Sequence, residues 1–228
     1  FNVFDLEAIW AKRLGKWGVV NRLNIPLVYL PSSAPPSSTG DSGSTFGLGD
    51  ILYTAFLARD ESQRIFKAIG GIGPTILFNS STDDRIGTGK WGIGPSAAVT
   101  SKPGRWVNGL LVNQIWSFAG DADREDLSFL VLRPFINYNV WNGWYLTTTP
   151  LITANWKATE RNKWSVPIGG GVGKIALKVG KQPLNFRIQG FYFIEKADLA
   201  PDWTLNFEFQ ILFPQYDVEP SSETYSED

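Results

Sequence analysis

Apolar and polar positions alternate along almost the whole chain. In the segment 202–213, Trp203, Leu205, Phe207, Phe209, Ile211 and Phe213 share one face, and Thr204, Asn206, Glu208 and Gln210 share the other. Between 183 and 195, Leu184, Phe186, Ile188, Tyr192 and Ile194 oppose Asn185, Arg187, Gln189 and Glu195. Between 127 and 140, Leu130, Leu132, Ile136, Tyr138 and Val140 oppose Arg133, Asn137 and Asn139. A period of two is that of a β-strand, whose successive side chains point to opposite sides. The pattern predicts strands near 2–13, 17–30, 48–58, 65–78, 90–101, 106–118, 127–140, 144–157, 163–177, 183–195 and 202–213. No segment carries a convincing helical period, so about eleven strands at near-regular spacing predict an all-β barrel or sandwich.

The connections alternate in length. Short ones fall at Gly15-Lys16, Lys102-Pro103-Gly104, Trp141-Asn142-Gly143 and Val179-Gly180-Lys181, with the turn around 58–64 in the same series. Asn-Gly is a strong tight-hairpin signal. Longer polar connections fall near 31–46, 79–89, 119–126, 158–162 and 196–201. Short turns at one rim and long loops at the other are the asymmetry of outer-membrane barrels.

A soluble sandwich alternates in the same way, so the placement of the aromatics has to decide. In 144–157 the apolar face runs Trp144, Leu146, Pro150, Ile152, Ala154, Trp156, with a tryptophan at each end. Twelve residues at about 3.3 Å each, tilted about 40–45°, span roughly 28–30 Å, the height of an apolar band with its aromatic girdles. Trp91, Trp106, Trp164 and Trp203 also start strands beside turns or loops. Trp91, Trp144, Trp156, Trp164 and Trp203 are therefore expected at a membrane interface, where one edge of the ring is wet and the other apolar. The predicted architecture is an antiparallel up-and-down transmembrane β-barrel over residues 1–214, with outer-membrane lipid as a partner and the bacterial cell outer membrane as the location. Residues 215–228 carry Asp217, Glu219, Glu223, Glu227 and Asp228 with almost nothing apolar, and read as a disordered acidic tail.

Parity adds an expectation. The last strand follows a long loop, and counting backward puts Gly15-Lys16 on the periplasmic side, so the first strand starts outside. Bacterial single-chain barrels normally have an even strand number. About twelve strands are thus expected in the intact protein, one of them ahead of residue 1.

Composition removes most chemistry. Cysteine and histidine are absent, which excludes disulfides, thiolate metal sites and Ser-His-Asp or Cys-His catalysis. No catalytic residue, metal site or cofactor is expected, and the chain reads as a non-enzyme. Lys+Arg 21 against Asp+Glu 22 gives a formal net charge of −1, and no nucleic-acid partner is expected without a clustered basic surface. Methionine is absent even at position 1, so the chain reads as processed or truncated.

Several quoted stretches also resemble a known family. They are GLGDILYTAFL at Gly47–Leu57, GTGKWGIGPSAAV at Gly87–Val99, LLVNQIWSFAGD at Leu110–Asp121, PFINYN at Pro134–Asn139, GWYLTTTPLITANWKA at Gly143–Ala158, WSVPIGGGVGK at Trp164–Lys174 and GKQPLNF at Gly180–Phe186. From about Gly47 to Pro214 the chain resembles the outer-membrane "MetA-pathway of phenol degradation" family of transporters. The resemblance implies an outer-membrane barrel. It does not imply that phenol is the solute.

Three other motifs point nowhere. Gly87–Gly92 matches G-x-G-x-x-G but precedes a strand rather than a helix, and Gly169–Lys174 lacks the residues of a phosphate loop. Thr82, Asp83 and Asp84 form a thin ligand set for a hard cation.

The predicted inner faces carry the candidate site. Arg22, Asp50, Arg133, Asn137, Asn155, Arg187, Gln189 and Glu208 are expected to line a pore, with Asp5 and Glu7 on the same faces. Two readings stay open for these charges: rings that select a passing solute, or pairs that satisfy a packed interior. The first makes the protein a passive channel or transporter for small solutes, with hydrophobic or aromatic ones among the candidates. The second makes it a structural or partner-binding barrel with a closed lumen. Both are compatible with a homo-oligomer.

Overall fold

A computed structural model describes residues 2–14, 17–31, 43–59, 68–179, 182–198 and 200–213. The strands are β1 (Asn2–Leu14), β2 (Trp17–Leu30), β3 (Thr45–Leu48), β4 (Leu52–Arg59), β5 (Ala68–Leu77), β6 (Lys90–Ser101), β7 (Trp106–Gly120), β8 (Ser128–Trp141), β9 (Trp144–Thr148), β10 (Ile152–Asn155), β11 (Trp164–Val179), β12 (Gln182–Glu195) and β13 (Trp203–Phe213). The turn residues Gly15, Lys16, Gly180 and Lys181, most of the 31–46 and 58–64 connections, and the acidic tail lie outside the described residues.

Consecutive wall strands pair antiparallel, and the sheet closes. β3 and β4 both pair with β2, so they are two halves of one wall strand broken at residues 49–51. β9 and β10 both pair with β8 and β11, two halves broken at 149–151. The closed ring therefore holds eleven strands. In an up-and-down ring an odd number makes the first and last strands run the same way. The closing pair is accordingly parallel, from Phe4↔Phe207 to Trp10↔Phe213. The ring closes within this chain, without the twelfth strand that parity leads one to expect.

Local chemistry explains the turns and the breaks. Asn142 and Gly143 both have positive φ, 48° and 77°, the type I′ geometry that matches strand twist. Pro150 has no N–H to give a ladder, and it lies in the β9/β10 break facing Pro134 of β8 across another unladdered stretch. Pro167 sits at a register shift between β11 and β12. Pro74 and Pro95 are directly opposite each other on β5 and β6.

The barrel is inside-out relative to a soluble domain. Among the described residues, eleven buried side chains are polar or charged against seven that are apolar, the reverse of an ordinary core. The outer wall exposes Ile72, Leu146, Ile168, Phe186, Ile194 and Phe207. Cross-strand pairs such as Phe186–Phe209, with ring centroids 6.0 Å apart, sit on that wall. On β7, which is apolar on both faces, Leu111 and Ile115 are buried while Trp106, Leu110 and Trp116 are exposed.

Aromatic rings mark both rims. Trp144, with Trp106 and Trp141, stands at the short-turn end, and the Lys174 ammonium lies 4.7 Å from the Trp144 ring. Trp91, Trp156, Trp164 and Trp203 stand at the long-loop end, with Trp203 67% exposed and Trp156 and Trp164 edge to face at 5.7 Å.

Candidate functional site

The lumen follows from strand phase. Because β12 and β13 pair Arg187↔Glu208 and Gln189↔Asn206, these four share the inner face, while Phe186, Ile188, Leu205 and Phe207 take the outer one. The same phase carries Glu7 and Asp5 of β1, Arg22 of β2, Asn113 of β7, Arg133 and Asn137 of β8 and Tyr145 and Thr147 of β9 inward.

At mid-height three arginines meet three carboxylates. Arg22 pairs with Glu7, and Arg187 with Glu208. Arg133 lies within electrostatic reach of Asp5, Glu7, Glu208 and Arg22. It makes no hydrogen bond or ion pair of its own to any described residue. Asp5 accepts a long hydrogen bond from Asn24 Nδ2 at 3.4 Å. Two of the three arginines are thus paired directly with a glutamate, and Arg133 shares the field of Asp5, Glu7 and Glu208 without a direct contact.

A ladder of neutral groups continues round the wall. Tyr145 Oη donates to Asn185 Oδ1 at 2.6 Å, and Asn185 Nδ2 donates to Gln210 Oε1 at 3.0 Å. Thr147 Oγ1 donates to Asn137 Oδ1 and Thr149 Oγ1 to Gln189 Oε1, both at 2.6 Å. Ser96 Oγ donates to Asn113 Oδ1, also at 2.6 Å. Tyr145 reaches across because its cross-strand partner is Gly173. A Cβ at Gly173 would collide with the phenol ring, so the glycine is the seat on which the ring lies.

Described residues line two cavities in the lumen. The one toward the long loops, about 230 Å³, has walls of Leu52, Leu77, Ile115, Phe129, Val131 and Leu151, with Arg133 and Asn113 among its polar groups. The one toward the short turns, about 510 Å³, is lined by Glu7, Arg187, Asn137, Tyr145, Asn185 and Lys102, with Phe56 and Phe135. Arg22, Leu111 and Arg133 border both, so they stand at the boundary between them.

Two of the residues expected to line a pore do something else as well. Asp50 lies in the β3/β4 break and accepts four hydrogen bonds from the following loop. Its Oδ1 takes Ser80 N and Ser81 N at 3.2 Å each, and its Oδ2 takes Thr88 N and Thr88 Oγ1 at 2.6 Å each. The carboxylate pins residues 78–89 over the rim. Asn155 ends β10 and accepts from Lys157 N at 3.0 Å, capping a turn. Arg22, Arg133, Asn137, Arg187, Gln189 and Glu208 converge in the lumen.

The long loops are tied to one another. Asp83 is gripped by Arg85 (Nη2–Oδ2 3.1 Å) and by Thr45 Oγ1 at 2.8 Å. The hydrogen bonds from Arg85 and Thr45 hold the Asp83 carboxyl well below the usual carboxylate range. Arg124 donates to the Asp84 carbonyl. Lys90 pairs with Asp126 at 3.3 Å, and hydrogen bonds from Lys90 and Ser117 lower the Asp126 carboxyl too. Asp83 is thus committed to Arg85, and no cluster of three or more metal-ligating side chains occurs among the described residues.

Asn113, Tyr145, Asn185 and Leu111 are site residues that sequence inspection passed over. Strand phase alone places Asn113 between Leu111 and Ile115 on the inner face. The signal was a polar residue between two apolar ones at a spacing of two on β7.

The family model described as "Putative MetA-pathway of phenol degradation" matches residues 1–215. No curated protein and no solved structure gives a significant match to the chain. The chain belongs to that family.

Proposed function

We propose that this member of the phenol-degradation family is an outer-membrane channel, through which small solutes pass passively along the lumen. The observation that carries the reading is the division of the wall. Its outer face is apolar from rim to rim with tryptophans at both ends, and its inner face carries the charged and polar side chains, with apolar stretches between them, and borders two adjoining cavities. An apolar exterior of that extent is costly in water and suited to lipid. A closed barrel leaves no unpaired sheet edge in hydrocarbon. Trp91, Trp144, Trp156, Trp164 and Trp203 take the interface positions in this reading.

Solutes enter from the long-loop end, pass the boundary at Arg22, Leu111 and Arg133, and leave through the wider cavity. The barrel works by binding and passage, with no chemical step and no cofactor. Salt-bridged Glu7–Arg22 and Arg187–Glu208, with Asp5 near Arg133, keep the passage polar without giving it a strong net charge, and Arg133 offers a passing solute a guanidinium with no direct acceptor.

The test is reconstitution of the folded chain in liposomes and planar bilayers. The reading expects discrete conductance steps and uptake of small aromatic solutes. Silent bilayers and impermeable liposomes would overturn it in favour of a closed, structural barrel.

A further inference from the structure

We infer that the cavity at the long-loop end is a binding site for a small apolar carboxylate, about the size of one aromatic ring, held between the Arg133 guanidinium and the Asn113 amide. The inference deepens the channel reading and rests on it for the route by which the ligand arrives.

Three observations converge. First, Arg133 is a lumen-facing guanidinium with no acceptor of its own, whereas Arg22 and Arg187 are each matched to a glutamate. Arg presents a planar fork of donors suited to a carboxylate. Second, Asn113 is 0% exposed and borders the same cavity. Its Oδ1 is taken by Ser96, and its Nδ2 has no hydrogen-bond partner among the described residues. A buried amide N–H without a partner is costly, and a ligand oxygen would relieve it. The two groups are diagonal neighbours on the inner face, since β7 and β8 pair Asn113↔Val131 and Leu111↔Arg133. Both offer donors only in the direction left free, which selects an acceptor group with two oxygens.

Third, most of the remaining wall is apolar, with Arg22, Asn24, Asp50 and Thr88 as its other polar residues. Leu52, Leu77, Ile115, Phe129 and Leu151 line much of a space of about 230 Å³. A cavity of about 150 Å³ with such a lining holds benzene, so one ring and a carboxylate fit. Asp50 also borders this space, but its carboxylate oxygens are taken by Ser80, Ser81 and Thr88. It therefore does not compete for the guanidinium.

The test is calorimetric titration of the detergent-solubilised full chain with sodium benzoate and with benzyl alcohol, its neutral analogue, alongside liposome uptake of both. The expected result is binding of benzoate about tenfold or more tighter than benzyl alcohol. Arg133→Gln should remove that preference, and Arg133→Lys should restore part of it. Equal binding of the two probes by the unaltered chain, which needs no variant to fold, would overturn the site. So would a benzoate preference that survives Arg133→Gln. Arg133-dependent binding with no uptake supports the site and sinks the channel. Uptake with no such binding sinks the site and leaves the channel standing.

Discussion

Glu7 on β1 and Arg22 on β2 form an ion pair across the first hairpin, with side chains only 5% and 10% exposed. Breaking such a pair from one side leaves a buried charge unmatched, at a cost of about 3–5 kcal/mol. Glu7→Gln should lower stability by that order. Arg22→Gln in the same chain should return much of it, because no isolated charge then remains. Urea unfolding in lipid vesicles of the two single variants and the double variant measures the coupling. Additive losses would mean that the two side chains do not act as a pair.

Asp50 holds the 78–89 loop through four donors. Asp50→Ala should free the loop without opening the barrel, since the ladder from β4 to β5 is separate from these bonds. Hydrogen exchange should accelerate at the Ser80, Ser81 and Thr88 amides by about tenfold or more, given one lost charge-assisted bond at each. The amides of β5 and β6 should keep their protection. Unchanged exchange at all three amides would show that the loop is held by other contacts.

The Asp83 carboxyl is depressed below its unfolded value, so its share of loop stability is present above about pH 3.9. It is lost as the pH falls below that toward the depressed folded value. Loop exchange, corrected for the intrinsic pH dependence of the rate, should therefore stay flat from neutral pH down to about 4 and rise below it. Asp83→Asn should loosen the Thr45–Arg85 contacts at every pH and abolish the acid step. An acid step of the same size in the variant would assign it to another carboxylate, with Asp126 the first candidate.

The outer wall makes a sharper test of the membrane reading. Phe207 and Glu208 are adjacent in sequence and on opposite faces, one exposed and one buried. Arg in place of Phe207 should cost about 2–4 kcal/mol in a bilayer, the depth-dependent cost of a cation on a lipid face. In a chain that is soluble, the same substitution on an exposed site would be within about 0.5 kcal/mol of neutral. Vesicle refolding yield and unfolding free energy of Phe207→Arg separate the two.

Much of this fold was legible in advance for a physical reason. A wall with one face in an apolar medium imprints period two on every strand, and all eleven segments read from that period are strands. Asn142-Gly143 announced its turn because few other pairs tolerate positive φ twice. The breaks at 49–51 and 149–151 were not legible, since alternation persists across them even though pairing stops. Strand phase places Arg22, Arg133 and Arg187 on one surface, but it does not say which meets a glutamate. That depends on the register of each hairpin, which brings Glu7 of β1 near Arg22 of β2 and sets Glu208 of β13 opposite Arg187 of β12. The second role of Asp50, which also borders the lumen cavity, was not legible because its donors come from a loop some thirty residues later.

The parallel seam governs the order of assembly. Joining β1 to β13 brings Phe4 against Phe207, a contact that spans nearly the whole polypeptide. Every other neighbouring pair of wall strands is linked by a hairpin or a loop and can zip locally. Closure entropy grows with the length of chain enclosed, and contacts of such separation form slowly. The last event in folding is then the docking of the final strand on the first. Until it happens, two open edges remain, each able to recruit a stray strand from another molecule.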